Sequence, residues 1–335
     1  MSLEGMRSDN RLSREDVVTQ LDVGHGTDPL ALLADLSEQA QGYVEASRAE
    51  STRATYASDW RIFSRWAAAA GLPRRIPVEP AVVAGWLADQ APHRRHSTLA
   101  RSLSAIKYMH AQQGLWSPTD HPQVRATLAG IKRRHPYAKR QARPFYLDDL
   151  ATALDALPDS PRGLRNRAIL LVGWWGAFRR SELVGLDLDD LTDEALGMIV
   201  KLRHSKTDQE SMGRLVPLHY HAESTCPVRA LRSWTRLTES EGPVFRQISQ
   251  WGVVGDRALN DKTVGRVVKE AAASLGFDPT GFSAHSLRAG FVSECDRRGI
   301  PSSAVRLVTG HTSEAMLATY TRPRNLFESS AGGFF

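Results

Sequence analysis

Towards its C-terminal end the chain reads Phe282-Ser-Ala-His285-Ser-Leu-Arg288-Ala-Gly-Phe291 and then Val308-Thr-Gly310-His311-Thr-Ser-Glu-Ala-Met-Leu-Ala-Thr-Tyr320. His285 and Arg288 are three positions apart, so a helix projects both from one face. Gly310 can end the preceding helix, and Tyr320 follows His311 across one more short predicted helix. Neither a metal-ligand cluster nor a phosphate-binding glycine loop accompanies these groups. The stretch predicts that Tyr320 is a nucleophile towards a nucleic-acid phosphodiester.

Bulk composition is that of a soluble two-domain protein. The chain has 335 residues, of which 41% are hydrophobic and 24% charged. Its two cysteines, Cys226 and Cys295, stand in no CxxC motif, which favours reduced thiols in the cytosol. Residues 1–28 lack the apolar core of a signal peptide, and the longest apolar run, Ala168–Phe178, is too short to span a bilayer. We therefore expect a cytoplasmic protein without membrane attachment.

Positive charge is concentrated between Arg94 and Arg143. This span holds eleven Lys and Arg residues and one acidic residue, Asp120, although the whole chain has a net charge of only +6. A short run of cations is most often a solvated face, but an imbalance over this length favours a surface that meets phosphates. A nucleic acid is therefore the predicted partner.

The N-terminal half of the chain is predicted to be helical. Residues 1–30 are polar and predict a flexible segment. Apolar residues then recur at helical spacing from 31 to 134, with Ser51-Thr52 and Ser97 as expected N-caps and the aromatic residues in the core. Residues 135–144, His-Pro-Tyr-Ala-Lys-Arg-Gln-Ala-Arg-Pro, predict an extended basic linker that lies along DNA.

Residues 145–322 predict a second domain that is mainly α with a small antiparallel β-sheet. We expect a helix from Asp148 or Asp149 to Leu157 and an apolar helix from Pro161 to Trp175. Two strands are predicted at 197–203 and 214–218, joined by a polar loop. The other predicted helices cover 227–240, 262–275, 284–298, 302–308 and 313–319. Residues 323–335 form a tail.

Two further groups have ordinary explanations when each is taken alone. Arg179 ends the most apolar helix and is followed by Glu182, which by itself indicates a structural ion pair at a helix turn. Lys206 lies at the tip of the predicted hairpin, where a lysine is usually solvated.

His219 and His221 could be two metal ligands, but no neighbouring residue completes a set, so exposed or core histidines are the preferred interpretation. No metal or cofactor is predicted.

In this order and spacing, the residues resemble the tyrosine recombinase (phage integrase) family. The family has an Arg in a G-x-x-R-x-S-E-L context, a hairpin Lys, an H-x-x-R box, and a G-H (or G-W) followed by a Tyr nine residues later. The matching residues here are Arg179 with Glu182, Lys206, His285 with Arg288, His311 and Tyr320. Arg180 departs from the family, which usually has an apolar residue there, so the choice of Arg179 rests on the spacing to Glu182. The layout is similar to Cre-type recombinases.

The resemblance implies a two-domain site-specific recombinase or integrase. Residues 31–134 correspond to a helical core-binding (SAM-like) domain and residues 145–322 to the catalytic domain. Tyr320 forms a covalent 3′-phosphotyrosine without metal or ATP. Arg179, Arg288 and His311 contact the phosphate oxygens, His285 assists the nucleophile, and Lys206 protonates the leaving 5′ oxygen. A homo-tetramer pairs two sites, with a monomer or dimer off DNA.

Some alternatives stay open. A type IB topoisomerase or telomere resolvase shares this chemistry, and a DNA-binding protein that has lost catalysis belongs to a different class. The tail, with Phe334 and Phe335, either docks on a neighbouring protomer or is frayed. The predicted DNA-contacting residues are Arg53, Arg94, Arg95, Arg101, Lys107, Lys132, Arg133, Arg134, Lys139, Arg140 and Arg143.

Overall fold

The backbone of a computed structural model divides into two compact units, Met1–Lys139 and Arg140–Phe335. The residues that the structure describes are 33, 35–37, 39–40, 42–43, 48–73, 75–136, 141–203, 213–311, 313–314 and 317. The division falls inside the range predicted as a linker. The two units are described separately below.

The described part of the first unit is built from helices. The helices are α1 (Glu50–Ala69), α2 (Pro80–Gln90), α3 (His96–Ala111) and α4 (Pro122–Arg134), with a short 3₁₀ turn at Pro118–Asp120 before α4. Phe63 of α1, Trp86 of α2 and Leu99 of α3 are fully buried in a shared apolar core. Phe63 and Trp86 pack edge to face with ring centroids 5.6 Å apart. The prediction that the aromatic residues of this unit form the core is confirmed for Phe63 and Trp86 and is wrong for Tyr43, which is 77% exposed.

The predicted N-caps of this unit are wrong. Helix α1 begins at Glu50 after Ala49, and α3 begins at His96 after Arg95, in both cases without a side-chain cap. Ser51 and Ser97 therefore lie inside the first turn. Proline or a polar side chain is favoured at a helix start, but burial of the apolar face fixes where a helix begins more strongly than a cap worth about 1 kcal/mol.

The second unit combines helices with small sheets. Its N-terminal part contains α5 (Leu147–Asp155), α6 (Pro161–Trp175) and the short α7 (Arg180–Val184). Three strands follow, β1 (Leu191–Glu194), β2 (Gly197–Leu202) and β3 (Arg214–His219), and then α8 (Pro227–Thr235). The remaining described elements are β4 (Arg246–Ile248), β5 (Val254–Ala258), α9 (Asp261–Ser274), α10 (His285–Arg297) and α11 (Ser302–Thr309).

Both sheets are antiparallel. Strand β2 lies between β1 and β3, and Val200 pairs with Leu191 on one side and with Val216 on the other. Strands β4 and β5 form a separate two-stranded ribbon. The predicted fold class, mainly α with a small antiparallel sheet, is confirmed. The sequence interpretation missed β1, β4, β5 and α7, because each of them is five residues or shorter and too brief to show a period.

The core of the second unit holds the first and last parts of the unit together. Helix α6, most of which is buried, packs beside α10, and Trp174 donates a hydrogen bond of 2.8 Å from Nε1 to the carbonyl of Phe145. Gly290 of α10 makes this approach possible, because a Cβ there would lie 1.9 Å from the Phe145 oxygen. This contact fixes α10, and with it Arg288, against the end of α6.

No helix within the described residues is long and apolar enough to span a membrane. The predicted helix at 313–319 falls largely outside those residues, and residues 1–30 and 323–335 lie wholly outside them.

Candidate active site

Arg288 is the buried centre of the candidate site. Its side chain is only 1% exposed, although it comes from the first turn of α10. Nη1 donates to the carbonyl of Ala177 and Nη2 to the carbonyl of Thr309, each at 2.6 Å. Ala177 adopts a left-handed conformation with φ of +47°, in the turn between α6 and α7. The guanidinium therefore joins the turn before Arg179 to the end of α11.

Arg179 is held by Glu182. The backbone N–H of Arg179 donates to Glu182 Oε2 at 2.8 Å, and its Nη1 donates to Oε1 at 2.5 Å. Glu182 is buried, whereas the Arg179 side chain keeps 20% of its surface exposed. The neighbouring Arg180 instead pairs with Asp261 at 3.0 Å and is 56% exposed. Of these two adjacent arginines, Arg179 is the one held by Glu182.

His311 is a neutral imidazole of defined tautomer. Its Nε2 lies 3.0 Å from Arg288 Nη2, which can only donate, so Nε2 accepts and the ring proton lies on Nδ1. Nδ1 then donates to Thr309 Oγ1 at 2.9 Å. Burial, followed by the nearby charges of Arg288, Arg179, His285 and Arg214, lowers the pKa of His311 from 6.5 to about 4. The site around this ring is strongly positive.

This pKa predicts how stability depends on pH. Between pH 6.5 and 4 the unfolded chain binds a proton at His311 that the folded chain excludes, so the free energy of unfolding falls as the pH is lowered through this window. The slope of the free energy of unfolding against pH reports how many protons are taken up on unfolding. We expect His311→Gln to reduce this number by about one between pH 4 and 6.5, as measured by thermal unfolding at a series of pH values. His219→Gln, which changes an exposed histidine, is the control and should follow the wild-type slope. Equal slopes for His311→Gln and wild type would contradict the assignment.

Arg214, which sequence reasoning missed, adds a further cation to the site. It is the first residue of β3, and its Nη1 donates to the carbonyl of Val308 at the end of α11. Nη2 lies 3.9 Å from Glu182 Oε2, and burial lowers the pKa of the guanidinium. A Cβ on Gly310, whose φ is +66°, would come within 3.1 Å of this guanidinium. Arg214 thus links the hairpin, α7 and α11. The only feature of the sequence that pointed to Arg214 as a site residue was its position directly after the predicted loop.

His285 opens α10 and is exposed, in contrast to Arg288 on the same helix. Its backbone N–H donates to Ser283 Oγ at 3.3 Å. Because His285 contributes to the lowered pKa of His311, the two rings lie in the same electrostatic environment. The structure therefore gathers Arg179, Glu182, His285, Arg288 and His311. Lys206 and Tyr320 lie outside the described residues.

Several of the predicted DNA-contacting residues are engaged within the first unit. Arg101 forms a two-pronged ion pair with the buried Asp59, at 2.8 and 3.0 Å. Lys107 pairs with Asp120 at 2.8 Å, and Arg94 donates to Gln90 at 2.7 Å. Arg53 is half-buried on α1. Arg95, Lys132, Arg133 and Arg134 are exposed, as are the ion-paired Arg101 and Lys107.

The end of the predicted linker belongs to the second unit. Arg143 donates its backbone N–H to Gly281 at 2.9 Å, and its guanidinium lies 4.4 Å from the ring centre of Phe277. This stretch is therefore anchored on protein at Arg143. Lys139 and Arg140 lie outside the described residues.

His221 has an ordinary structural role, and His219 is exposed. The ring of His221 stacks on Trp175 at 3.5 Å, nearly parallel, and burial lowers its pKa. Among the described residues, no three His, Cys, Asp or Glu side chains are grouped as metal ligands.

Sequence comparison relates the chain to known proteins. Residues 144–326 match the phage integrase family model. The chain is 32% identical over 302 residues to an integrase/recombinase xerD homolog of Selenomonas ruminantium, with 88% of each chain covered. It is 31% identical over 295 residues to the tyrosine recombinase XerC of Pelobacter propionicus, which covers 83% of this chain and 86% of that protein.

Solved structures share the fold. A lambda integrase dimer bound to a COC′ core site matches with a TM-score of 0.57 and 17% identity, covering 86% of this chain and 94% of that one. The XerH recombinase bound to a palindromic difH substrate matches with a TM-score of 0.55 and 16% identity, covering 79% and 76%. Because the sequence identities are only 17% and 16%, these matches show a shared fold and nothing more.

Proposed function

The chain belongs to the phage integrase family and is a site-specific tyrosine recombinase, and we propose that it cuts and rejoins double-stranded DNA through Tyr320. The observation that carries the proposal is the group of guanidinium ions around His311. Arg179, Arg288 and Arg214 all lower its pKa, and Glu182 is the carboxylate that pairs with Arg179. Such a site suits an oxyanion that is held in a protein environment of low polarity.

The proposed step is a transesterification. The phenolic oxygen of Tyr320 forms a bond to phosphorus as the bond from phosphorus to the 5′ oxygen breaks, which leaves a 3′-phosphotyrosine and a free 5′ hydroxyl. Charge grows on the non-bridging oxygens in the transition state, where the forked donors of Arg179 and Arg288 stabilise it. The reverse attack by a 5′ hydroxyl restores the phosphodiester, so the bond energy is conserved and ATP is not needed.

Proton transfers accompany both bonds. A tyrosine with a pKa near 10 is a weak nucleophile at neutral pH, and His285, exposed at the start of α10, takes its proton or accepts its hydrogen bond. Lys206 donates a proton to the leaving 5′ oxygen. Because Nε2 accepts from Arg288 and carries no proton, His311 can donate to a phosphate oxygen from Nε2 only after Nε2 leaves Arg288 and gains a proton, either by a change of tautomer or by protonation of the ring.

The domain boundaries and the assembly are part of the proposal. Residues 31–134 bind the duplex, residues 145–322 carry out the chemistry, and residues 135–144 connect these two domains. The reaction takes place in the cytoplasm, and a homo-tetramer pairs two DNA sites. Because Arg101 and Lys107 are held by Asp59 and Asp120, the solvent-facing cations at the end of α4 are the better candidates for phosphate contacts.

A nicked duplex tests the function. A suicide substrate has a nick beside the scissile bond, so cleavage releases the short fragment that carries the free 5′ hydroxyl. Rejoining then fails, and the covalent complex accumulates. We expect this complex to form in EDTA, and two differently labelled sites to exchange strands. Covalent attachment without exchange would assign the chain to strand relaxation or resolution at single sites. A strict need for Mg²⁺ in cleavage would reject the mechanism.

The role of Lys206 has its own test. We expect Lys206→Ala to slow cleavage of ordinary DNA by about 10²–10⁴-fold, because the leaving alkoxide then lacks its acid. A 5′-phosphorothiolate substrate leaves as a thiolate that needs no proton, so the variant should regain most of the rate. The exposed Lys201→Ala is the control on the adjoining strand and should cleave both substrates at the wild-type rate. Equal defects of Lys206→Ala on both substrates would exclude the acid role.

A further inference from the structure

A second arginine-rich site lies in the catalytic unit, apart from the residues gathered around Arg288. It is a cavity of about 420 Å³ between the beginning of α6, the ribbon of β4 and β5, and the first turns of α9. Three arginines line it, together with neutral polar side chains and one carboxylate. The lining residues that matter here are Arg162, Arg165, Arg266, Asn166, Gln247 and Glu270.

Arg165 is the buried member of this group. Its side chain is 6% exposed, and it donates only to neutral acceptors: Nη2 to Asn166 Oδ1 at 3.1 Å and Nη1 to the carbonyl of Arg246 at 3.3 Å. Exposed Arg266 donates to the Thr263 hydroxyl at 3.3 Å. Among the residues that the structure describes, none of Arg162, Arg165 and Arg266 forms an ion pair with a carboxylate. A buried guanidinium without a counterion is costly unless an anion joins it.

The electrostatics of the cavity favour an anion. Burial, followed by the charges of Arg162 and then Arg266, lowers the pKa of Arg165 to about 10, and Glu270 opposes this only in part. Arg162 and Arg165 belong to the first turns of α6, where backbone N–H groups also favour negative charge. Asn166 and Gln247 add neutral polar groups.

We propose that this cavity binds a phosphate oxyanion, supplied by the backbone of the bound DNA at a position other than the scissile one. The assignment rests on the proposed function for the identity of the polymer. A guanidinium fork matches two oxygens of a phosphodiester, and the exposed Arg162 and Arg266 at the mouth allow a polymer to present one. The contact is to backbone only, so it strengthens binding to every sequence equally.

The test compares the full chain with variants that spare buried Arg165. Duplex affinity is measured against salt for wild type, for Arg162→Gln with Arg266→Gln, and for Lys269→Gln. Lys269 is exposed on the same helix as Arg266 but does not line the cavity. We expect the double variant to lower the slope of log affinity against log salt by about one, with roughly tenfold weaker binding to target and random duplexes alike. Lys269→Gln should keep the wild-type slope.

Two results would overturn the assignment. In the first, the salt slope of the double variant equals that of wild type, and inorganic phosphate raises the melting temperature of wild type but not of the variant. The cavity then binds free phosphate and not DNA. If neither property changes, the cavity binds no phosphate. Covalent trapping of wild type on the suicide substrate is measured in parallel. Its failure would reject the recombinase chemistry, whereas an unchanged slope with normal trapping would reject only this second site.

Discussion

Tyr320→Phe is expected to abolish covalent attachment to DNA. The substitution removes the oxygen that we propose attacks phosphorus and retains the ring, so cleavage should fall by at least about 10⁴-fold. Duplex affinity should stay within a few-fold of wild type, because the phosphate contacts come from arginine and lysine side chains. The measurement is the fraction of labelled suicide substrate that migrates with denatured protein.

A second tyrosine provides the control. Tyr146, which precedes α5, also lies in the catalytic unit, and Tyr146→Phe should form the adduct at the wild-type rate. Mass spectrometry of the wild-type adduct should place the nucleotide on the peptide that contains Tyr320. An adduct formed by Tyr320→Phe, or mapped to another residue, would show that a different group is the nucleophile.

Arg288→Lys is expected to reduce cleavage by about 10²-fold or more and to destabilise the fold. An ammonium group cannot reach the carbonyls of Ala177 and Thr309 and still face His311, because it lacks the planar fork. Losing hydrogen bonds between a charged donor and buried carbonyls costs about 1.5–3 kcal/mol for each bond. Both losses are measured on the same preparation, by single-turnover cleavage and by denaturant unfolding.

The control comes from the other end of the same helix. Arg297 pairs with Glu294 at 2.8 Å, but its side chain is 55% exposed. Arg297→Lys should therefore change the stability little and leave cleavage unchanged. If Arg288→Lys cleaves normally despite a loss of stability, Arg288 is a structural residue and does not touch the phosphate.

The sequence predicted the longer elements well and the short ones poorly. Helix α6 begins at Pro161 and ends at Trp175 as expected, because proline, an apolar run and a following glycine mark both ends. Strands β1 and β4 were missed, since three or four residues show no period of their own and become strands only by pairing. The N-caps at Ser51 and Ser97 failed because tertiary packing outweighs a single cap.

The candidate site was predicted in part. The motif spacing identified Arg179 with Glu182, His285, Arg288 and His311, and the structure gathers all of these. Arg214 could not be identified in this way, because an arginine at the start of a strand is ordinary in sequence. Its importance comes from Val308 and Glu182, which are distant in the chain and close only after folding. The ion pair between Asp59 and Arg101 was likewise not predicted, because the two residues are distant in the sequence.

By itself the sequence predicted the two-part organisation and, through motifs that resemble the phage integrase family, the reaction class and the order of the candidate reactive side chains. These motifs are residue types at fixed spacings, which the chain carries whether or not it is folded. Only the tertiary structure decided that Arg179 and not Arg180 pairs with Glu182, that His311 is neutral with its proton on Nδ1, and that Arg165 is buried and forms no ion pair with a carboxylate of the described residues. Charge state and hydrogen-bond partner depend on burial and on groups brought together by folding, which no local pattern records.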